Sequence, residues 1–485
     1  MVSEATIQHA TKDCYTCNRR RIRCDRSLPL CRKCSNRGLY CPGYWPRFRW
    51  TNAIAVRGRF RGLRSPMALE DDQFHHNNNA ISFIQEASTE SSREIDCQYS
   101  VFATLSRLPE PVVNRLLLHY AHHITPIMVW LDSEKNEYRR LVIPLAEKQP
   151  VLRLSILAIA AAHLPRDSEI EADFSQSACQ AAILMITQQI RFMIDKNFEV
   201  NHIHNENDER TAEGLLATML TLSNYSLLGS ALSHAQSHRH AARILVNTLT
   251  LKRASNDELF VFLRNQLSVY DILACTTLFN SEHIRHAILP DLSQGDIFFG
   301  HFLTIIHRIT IRSIPNQDYD LSSESSRMEE LEDEFEIACS STLLLAGPVI
   351  TSCKKIFKED FIRLVQTYHH AGAIYACKRF HGSTMSEHEK RHSLLLFTAL
   401  EKLDNIDSFL HNLPWPIFIA GICSCLDPKR ISVVSNLCSM LSSKTGFKHY
   451  ANILIFLQEL WESSHKNWVS LAREWEERGV PVIAV

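Results

Sequence analysis

Six cysteines within residues 14–41 constrain the fold of this chain more than any other feature. They form two equal halves, each with the spacing Cys-x2-Cys-x6-Cys. Zinc takes four ligands in a tetrahedron, and thiolates suit it. Six thiolates cannot build two separate four-sulfur sites, but they can hold two ions if two sulfurs bridge. The spacing therefore predicts a two-zinc cluster, with these ligands: Cys14, Cys17, Cys24, Cys31, Cys34 and Cys41.

The charge of the chain is distributed unevenly around this block. Residues 1–66 carry 15 Lys and Arg against 3 Asp and Glu, whereas the remaining residues carry 37 against 50. The formal net charge of −1 hides this asymmetry. A basic segment on an acidic chain predicts a polyanionic partner for that segment alone.

The sequence also indicates the cellular compartment of the chain. Residues 1–13 lack the apolar core of a signal peptide. Apolar runs such as Leu154–Ala162 are far shorter than the ~18 residues that span a bilayer. We therefore expect an intracellular chain without a membrane partner, in which thiols stay reduced and paired cysteines bind metal. The other nine cysteines are expected to be buried as small hydrophobic residues.

The fold class expected is mostly α, with a small N-terminal zinc cluster domain and a large all-α regulatory domain. Gly is scarce, at 14 residues, and strand-like alternation is absent over useful lengths. Val151–His163 is apolar on nearly all sides, which predicts a helix buried in a core. The predicted segments are a disordered N-terminus (1–13), the zinc cluster (14–41), a basic extension with interleaved aromatics (42–64), a flexible linker (65–97) and the helical body (98–485).

Further helices are predicted along the body from their apolar periodicity. A Ser-rich and then acidic stretch, 318–336, is interpreted as a solvated loop or helix face, with recruitment of transcription machinery as the alternative. The predicted helices are Leu116–His123, Thr211–Leu232, Ser237–Leu251, Glu258–Phe279, Ser322–Glu336, Asp360–Phe380, His392–Leu410, Lys429–Leu441 and Tyr450–Arg478.

The cysteine block resembles the fungal two-zinc, six-cysteine binuclear cluster in both cysteine spacings and in its basic insert. The resemblance implies that Cys14 and Cys31 bridge the two ions. It further implies that Cys17 and Cys24 complete the coordination of one ion. Cys34 and Cys41 would then complete the other.

The same resemblance implies how the block reads DNA. A short helix, here about Thr16–Arg23, would point its C-terminal end into the major groove at a CGG triplet. The base readers would be Arg20 and Arg21, since arginine pairs bidentately with guanine. Phosphate contacts, which position the protein without specifying sequence, would come from Arg19, Arg23, Arg26 and Lys33. Asn18 replaces the basic residue usual in the family, and Arg21 replaces a frequent lysine.

The body resembles the fungal-specific transcription factor domain 2 family. The resemblance rests on the segments 116–132, 142–164, 237–245 and 413–430. It implies an all-helical regulatory domain without established catalysis. Together the two resemblances imply a zinc-dependent, sequence-specific transcription factor that regulates RNA polymerase II genes in the nucleus. Its partners would be double-stranded DNA and the transcription machinery or co-regulators.

Other functions are compatible with parts of the sequence. His388–His392 fits the H-E-x-x-H pattern of zinc proteases, but its intervening residues are cationic, and we interpret the chain as not an enzyme. His369 and His370 are interpreted as surface or satisfied core residues. A protein-interaction role, or binding of single strands or RNA, remains an alternative to duplex binding. Residues 42–100 show no sustained heptad, so a homodimer through the body and a monomer both stay open.

Overall fold

The computed structural model describes a small N-terminal region and most of the body. The described residues are 13–14, 16–17, 20–27, 31–37, 108–164, 169–195, 206–252, 257–292, 297–314, 324–380, 386–424, 427–463 and 467–485. Two compact units are present, one comprising Met1–Ala103 with Ile183–His202, the other Thr104–Ala182 with Ile203–Val485. The predicted basic extension (42–64) and linker (65–97) lie outside the described residues, as do residues 1–12 of the predicted disordered N-terminus (1–13). The domain boundaries stay predictions.

Within the described residues the larger unit is built from α-helices, which confirms the expected fold class. The α-helices of the chain are α1 (Arg32–Ser35), α2 (Glu110–His119), α3 (Ile143–Lys148), α4 (Pro150–His163), α5 (Glu169–Asp195), α6 (Glu206–Leu228), α7 (Leu232–Lys252), α8 (Glu258–Ala274), α9 (Ser281–Arg285), α10 (Gly300–Arg312), α11 (Glu324–Ile350), α12 (Lys355–Phe380), α13 (Glu387–Glu401), α14 (Pro414–Ile422), α15 (Pro428–Thr445), α16 (Ala451–Glu462) and α17 (Trp468–Glu477).

Side-chain caps set several of these boundaries. The Asp257 and Asn467 side chains accept hydrogen bonds from backbone N–H groups in the first turns of α8 and α17. Ser386 does the same for α13, where its Oγ lies 3.1 Å from the Glu389 backbone nitrogen. Each cap satisfies donors that the first helical turn leaves without an intrahelical partner. The Asn467 cap divides the predicted helix Tyr450–Arg478 into α16 and α17, so that prediction was wrong in its length.

Other predicted helices also differ from the structure. Thr211–Leu232 was wrong at its C-terminal end, because α6 ends at Leu228, and so was Glu258–Phe279, because α8 ends at Ala274. The prediction His392–Leu410 was wrong at its C-terminal end, because α13 stops at Glu401 and short 3-10 turns follow. The stretch predicted as Ser322–Glu336 forms the first half of the longer helix α11 from Glu324 onward. Leu331 and Phe335 of α11 are buried, as expected for a helix face packed on a core.

The core of the larger unit is aromatic, and α14 runs through it. Every residue of α14 is buried, which suits a helix that is apolar on all sides. Trp415 of α14 stacks on Tyr368 of α12 with ring centroids 5.8 Å apart. Gly421 allows α16 to approach closely, since a Cβ there would lie 2.4 Å from a methyl carbon of Leu457. The part of the sequence segment 413–430 that forms α14 is thus a packing motif.

Candidate metal centre

The described cysteines of the N-terminal block form a buried sulfur cluster. Sγ–Sγ distances are 3.7 Å for Cys14–Cys34, 3.6 Å for Cys17–Cys31 and 3.8 Å for Cys17–Cys34. The Sγ atoms of Cys14, Cys17, Cys24 and Cys31 all lie within 4.8 Å of one another. Two sulfurs on one tetrahedral zinc lie about 3.8 Å apart, because each Zn–S bond is about 2.3 Å long. The donor set therefore fits zinc. Cys41 lies outside the described residues.

The first half of the block turns tightly around its sulfurs. The backbone N–H of Arg20 donates to the carbonyl of Thr16 at 3.1 Å, and that of Ile22 to Cys17 at 3.0 Å. Arg21 then adopts a positive φ of 51°, which ends the helical turn. The prediction of a helix over Thr16–Arg23 was therefore wrong at its end. A residue in the left-handed region cannot continue an α-helix, so Arg23 follows the turn.

Backbone N–H groups point at the sulfurs. Cys14 N and Arg26 N each lie 3.4 Å from Cys24 Sγ, and Cys17 N lies 3.4 Å from Cys14 Sγ. Burial raises the pKa of Cys24, but these backbone hydrogen bonds outweigh it and leave that pKa lowered. Burial raises the pKa of Cys17 to about 12. Zinc binding must therefore displace protons, and hydrogen bonds to sulfur stabilise the thiolates that result.

Asp25 organises the second half of the block, and sequence reasoning missed it. Its carboxylate accepts hydrogen bonds from the backbone N–H of Arg32 at 3.0 Å and of Lys33 at 3.3 Å. It also accepts from the Ser27 hydroxyl at 2.6 Å. These contacts hold the start of α1, which carries Cys34. The sequence did contain a signal for this role, because Asp25 is the only acidic residue in the otherwise basic block 14–41.

The predicted DNA contacts fall into two groups. Arg20, Arg21 and Arg23 are exposed. Arg26 Nε instead pairs with Asp13 Oδ1 at 2.6 Å, and Lys33 Nζ donates to the Arg23 carbonyl at 2.7 Å. Arg26 and Lys33 thus have intramolecular roles that the sequence did not reveal. Arg19 lies outside the described residues.

The H-E-x-x-H segment of the body is helical, at the start of α13. Glu389, the residue that would activate water in a protease, is buried and pairs with Lys378 Nζ at 2.9 Å. The carboxylate that a protease would direct at water is here engaged by a half-buried lysine. This contact argues against the protease interpretation.

A buried sulfur cluster with exposed arginines in the same block is the arrangement expected of a zinc-stabilised domain. Comparison of the sequence with family models gives the family. The model described as "Fungal specific transcription factor domain" matches residues 115–477, and the fungal Zn(2)-Cys(6) binuclear cluster domain matches residues 12–51. The chain belongs to the fungal specific transcription factor family. Its cluster domain is of the two-zinc, six-cysteine kind and takes two zinc ions.

Similar curated proteins are fungal. The acriflavine sensitivity control protein acr-2 of Neurospora crassa is 25% identical over 325 residues, covering 51% of this chain and 53% of that protein. The transcription factors phomR and phomR' of Diaporthe leptostromiformis are each 36% identical over 56 residues, covering 12% of this chain and 9% of each protein. The matches thus span about half of the first relative and less of the others. No solved structure matches the chain. In the described part of the chain, no helix combines the length and apolarity needed to cross a membrane.

Proposed function

We propose that this regulator acts in the nucleus and reads CGG-type triplets in the major groove of duplex DNA, controlling RNA polymerase II genes. The observation that carries the proposal is the position of Arg20 and Arg21. Both are exposed, and they occupy the turn that directly follows the buried sulfur of Cys17. Arginine presents a planar fork of donors that matches guanine O6 and N7. The larger unit would carry regulation and contact the transcription machinery or co-regulators.

The zinc ligands proposed are the six cysteines of the block. Cys14, Cys17, Cys24 and Cys31, whose sulfurs lie together, would surround one ion. Cys14 and Cys31 would bridge to the second, which Cys34 and Cys41 complete. When bound, the two ions supply structural cross-links. The chain's own residues then hold the arginine turn in place through the contacts of Thr16 and Cys17, while Asp25 holds the start of α1.

Base readout and phosphate contact predict different mutant behaviour. Arg20→Ala or Arg21→Ala should reduce the preference for CGG over a mutated triplet by roughly 5- to 150-fold, since a bidentate pair discriminates by about 1–3 kcal/mol. Arg23→Ala should weaken binding about evenly across sequences and lower the salt slope by about one. Fluorescence anisotropy with matched duplexes at several salt concentrations measures both effects.

Two controls make this comparison specific. Arg37 is exposed on the cysteine block but was assigned no DNA contact, so Arg37→Ala reports the effect of charge alone. Arg26→Ala is a poorer phosphate probe, because it also breaks the ion pair with Asp13. Equal binding of the wild-type chain to CGG and random duplexes would contradict the proposal. Tighter binding to single-stranded DNA or RNA than to duplex would favour the alternative.

A further inference from the structure

Titratable side chains from three helices of the larger unit converge at one place. Glu332 comes from α11, His369 and His370 from α12, and His388 and His392 from α13. The ligand atoms of Glu332, His388 and His392 lie within 4.8 Å of one another, as do those of His369, His370 and His392. The sequence interpretation treated His369 and His370 as surface or satisfied core residues, and His388 and His392 as a match to the H-E-x-x-H pattern without protease function. The structure instead makes them a cluster, and the DNA-binding function does not use it.

His388 and His392 are one helical turn apart, which places both rings on the same face of α13. The Ser386 cap fixes where that helix begins. His388 Nε2 lies 3.7 Å from Glu332 Oε2, and His392 Nε2 lies 3.4 Å from Glu332 Oε1. Two imidazole nitrogens on one helix thus face the two oxygens of one carboxylate on another.

Neither of these nitrogens forms a hydrogen bond, although His392 is 99% buried (1% exposed). The Nδ1 atoms of His370 and His392 lie 3.2 Å apart, so one ring donates to the other. An unsatisfied nitrogen beside a carboxylate in a buried site is costly. A cation would satisfy both groups together.

We propose that Glu332, His388 and His392 form a second metal site, which binds a divalent transition ion of the zinc class. Two imidazoles and a carboxylate are a donor set that zinc takes with three protein ligands. Calcium and magnesium prefer all-oxygen sites. The His392 ring would ligate through Nε2 and donate its Nδ1–H to His370, an orienting contact common behind metal ligands.

His369 is the candidate for a further ligand. Its Nε2 is buried and also lacks a partner, while its Nδ1 lies 3.5 Å from Cys339 Sγ. A cavity of about 340 Å³ is lined by Cys339, His369 and His370. Arg391 also approaches Glu332, at 3.8 Å, but its side chain is 66% exposed and can turn into solvent.

The site would be structural. Glu389, which stands between the two histidine ligands, is paired with Lys378 and is not available to activate water. A bound ion would instead fasten α11 to α13. Metal occupancy would then couple to the folding stability of the larger unit, since an ion that binds only the folded state stabilises it by mass action.

The test is metal content of the full chain together with its cobalt spectrum. The wild-type chain purified with zinc should hold one ion more than the two of the cluster domain. Glu332→Gln and His388→Asn should each lose that one ion while keeping the other two. With cobalt, the lost component should show visible d–d bands without the strong thiolate charge-transfer bands of the cysteine cluster. Added zinc should raise the unfolding midpoint of the larger unit in the wild type but not in Glu332→Gln or His388→Asn.

Matched controls separate this site from surface binding. Glu329→Gln changes an exposed carboxyl on α11, and His301→Asn changes an exposed histidine on α10; both should keep the additional ion. His392→Asn is a third test, although its burial also makes it a risk to folding, so the two more exposed ligand variants decide the matter. Equal metal content in the wild type, Glu332→Gln and His388→Asn would overturn the proposal, as would loss of the ion in both control variants.

Discussion

Removal of zinc by a chelator is expected to unfold residues 14–41 while the helical body stays folded. Among the described residues of this block, the buried apolar cluster consists of cysteines with Ile22 packed against them, so little in that part stabilises the block without metal. Structural zinc contributes on the order of 10 kcal/mol or more to the folding of such small domains. Hydrogen exchange followed by mass spectrometry should show full exposure of this block after chelation. Specific DNA binding should be lost at the same time.

Substituting a cysteine of the cluster, and separately a cysteine of the body, tests the same prediction without a chelator. Cys31→Ser should abolish the protected state of the block and the binding of CGG duplex, even with zinc present. Cys353→Ser, at a half-buried thiol of the body, should leave both unchanged. Readdition of zinc after chelation should restore protection in the wild type. A block that stays protected after elemental analysis shows complete zinc loss would refute the prediction.

The zinc cluster could be predicted from sequence because its ligands obey local spacing. A Cys-x2-Cys turn brings two sulfurs together whatever surrounds it. The details depended on backbone geometry and on contacts across the block. The positive φ of Arg21 shortens the predicted helix, and the Asp25 contacts with the start of α1 join segments that no spacing rule relates. The pairing of Arg26 with Asp13 could not be predicted either, because no spacing rule relates these two residues.

In the body, the apolar periodicity of the sequence identified most helices but not which helices pack against one another. The fully apolar pattern of Val151–His163 predicted burial on nearly all sides, and α4 is buried in this way. The histidine cluster could not be inferred, since it requires α11, α12 and α13 to meet. Within the cluster, only the pair His388 and His392 can be recognised from the local sequence, by its i, i+4 spacing. The sequence Ser386-x-x-Glu389 is also a capping-box pattern, which could have located the start of α13.

Trp415→Ala is expected to destabilise the larger unit by about 3–5 kcal/mol, the range for removing a large buried aromatic side chain. Trp415 is fully buried. Its ring meets those of Tyr368 and Tyr375, with both centroid separations 5.8 Å. Truncation would therefore open a cavity between α12 and α14 that rigid rings cannot refill. Urea unfolding of the zinc-loaded chain, followed by far-UV circular dichroism, measures the loss.

Two further substitutions divide this effect into packing and hydrogen bonding. Trp415 Nε1 donates to Thr276 Oγ1 at 3.1 Å inside the core. Thr276→Val keeps the volume but leaves that donor unsatisfied, at a cost of about 1–3 kcal/mol. Trp415→Phe removes the donor and part of the volume, so it should be less destabilising than Trp415→Ala. An alanine variant as stable as the wild type would show that α14 is not packed as described. If Thr276→Val unfolds with the same free energy as the wild type, the hydrogen bond does not contribute to stability. Packing alone would then explain why tryptophan occupies position 415.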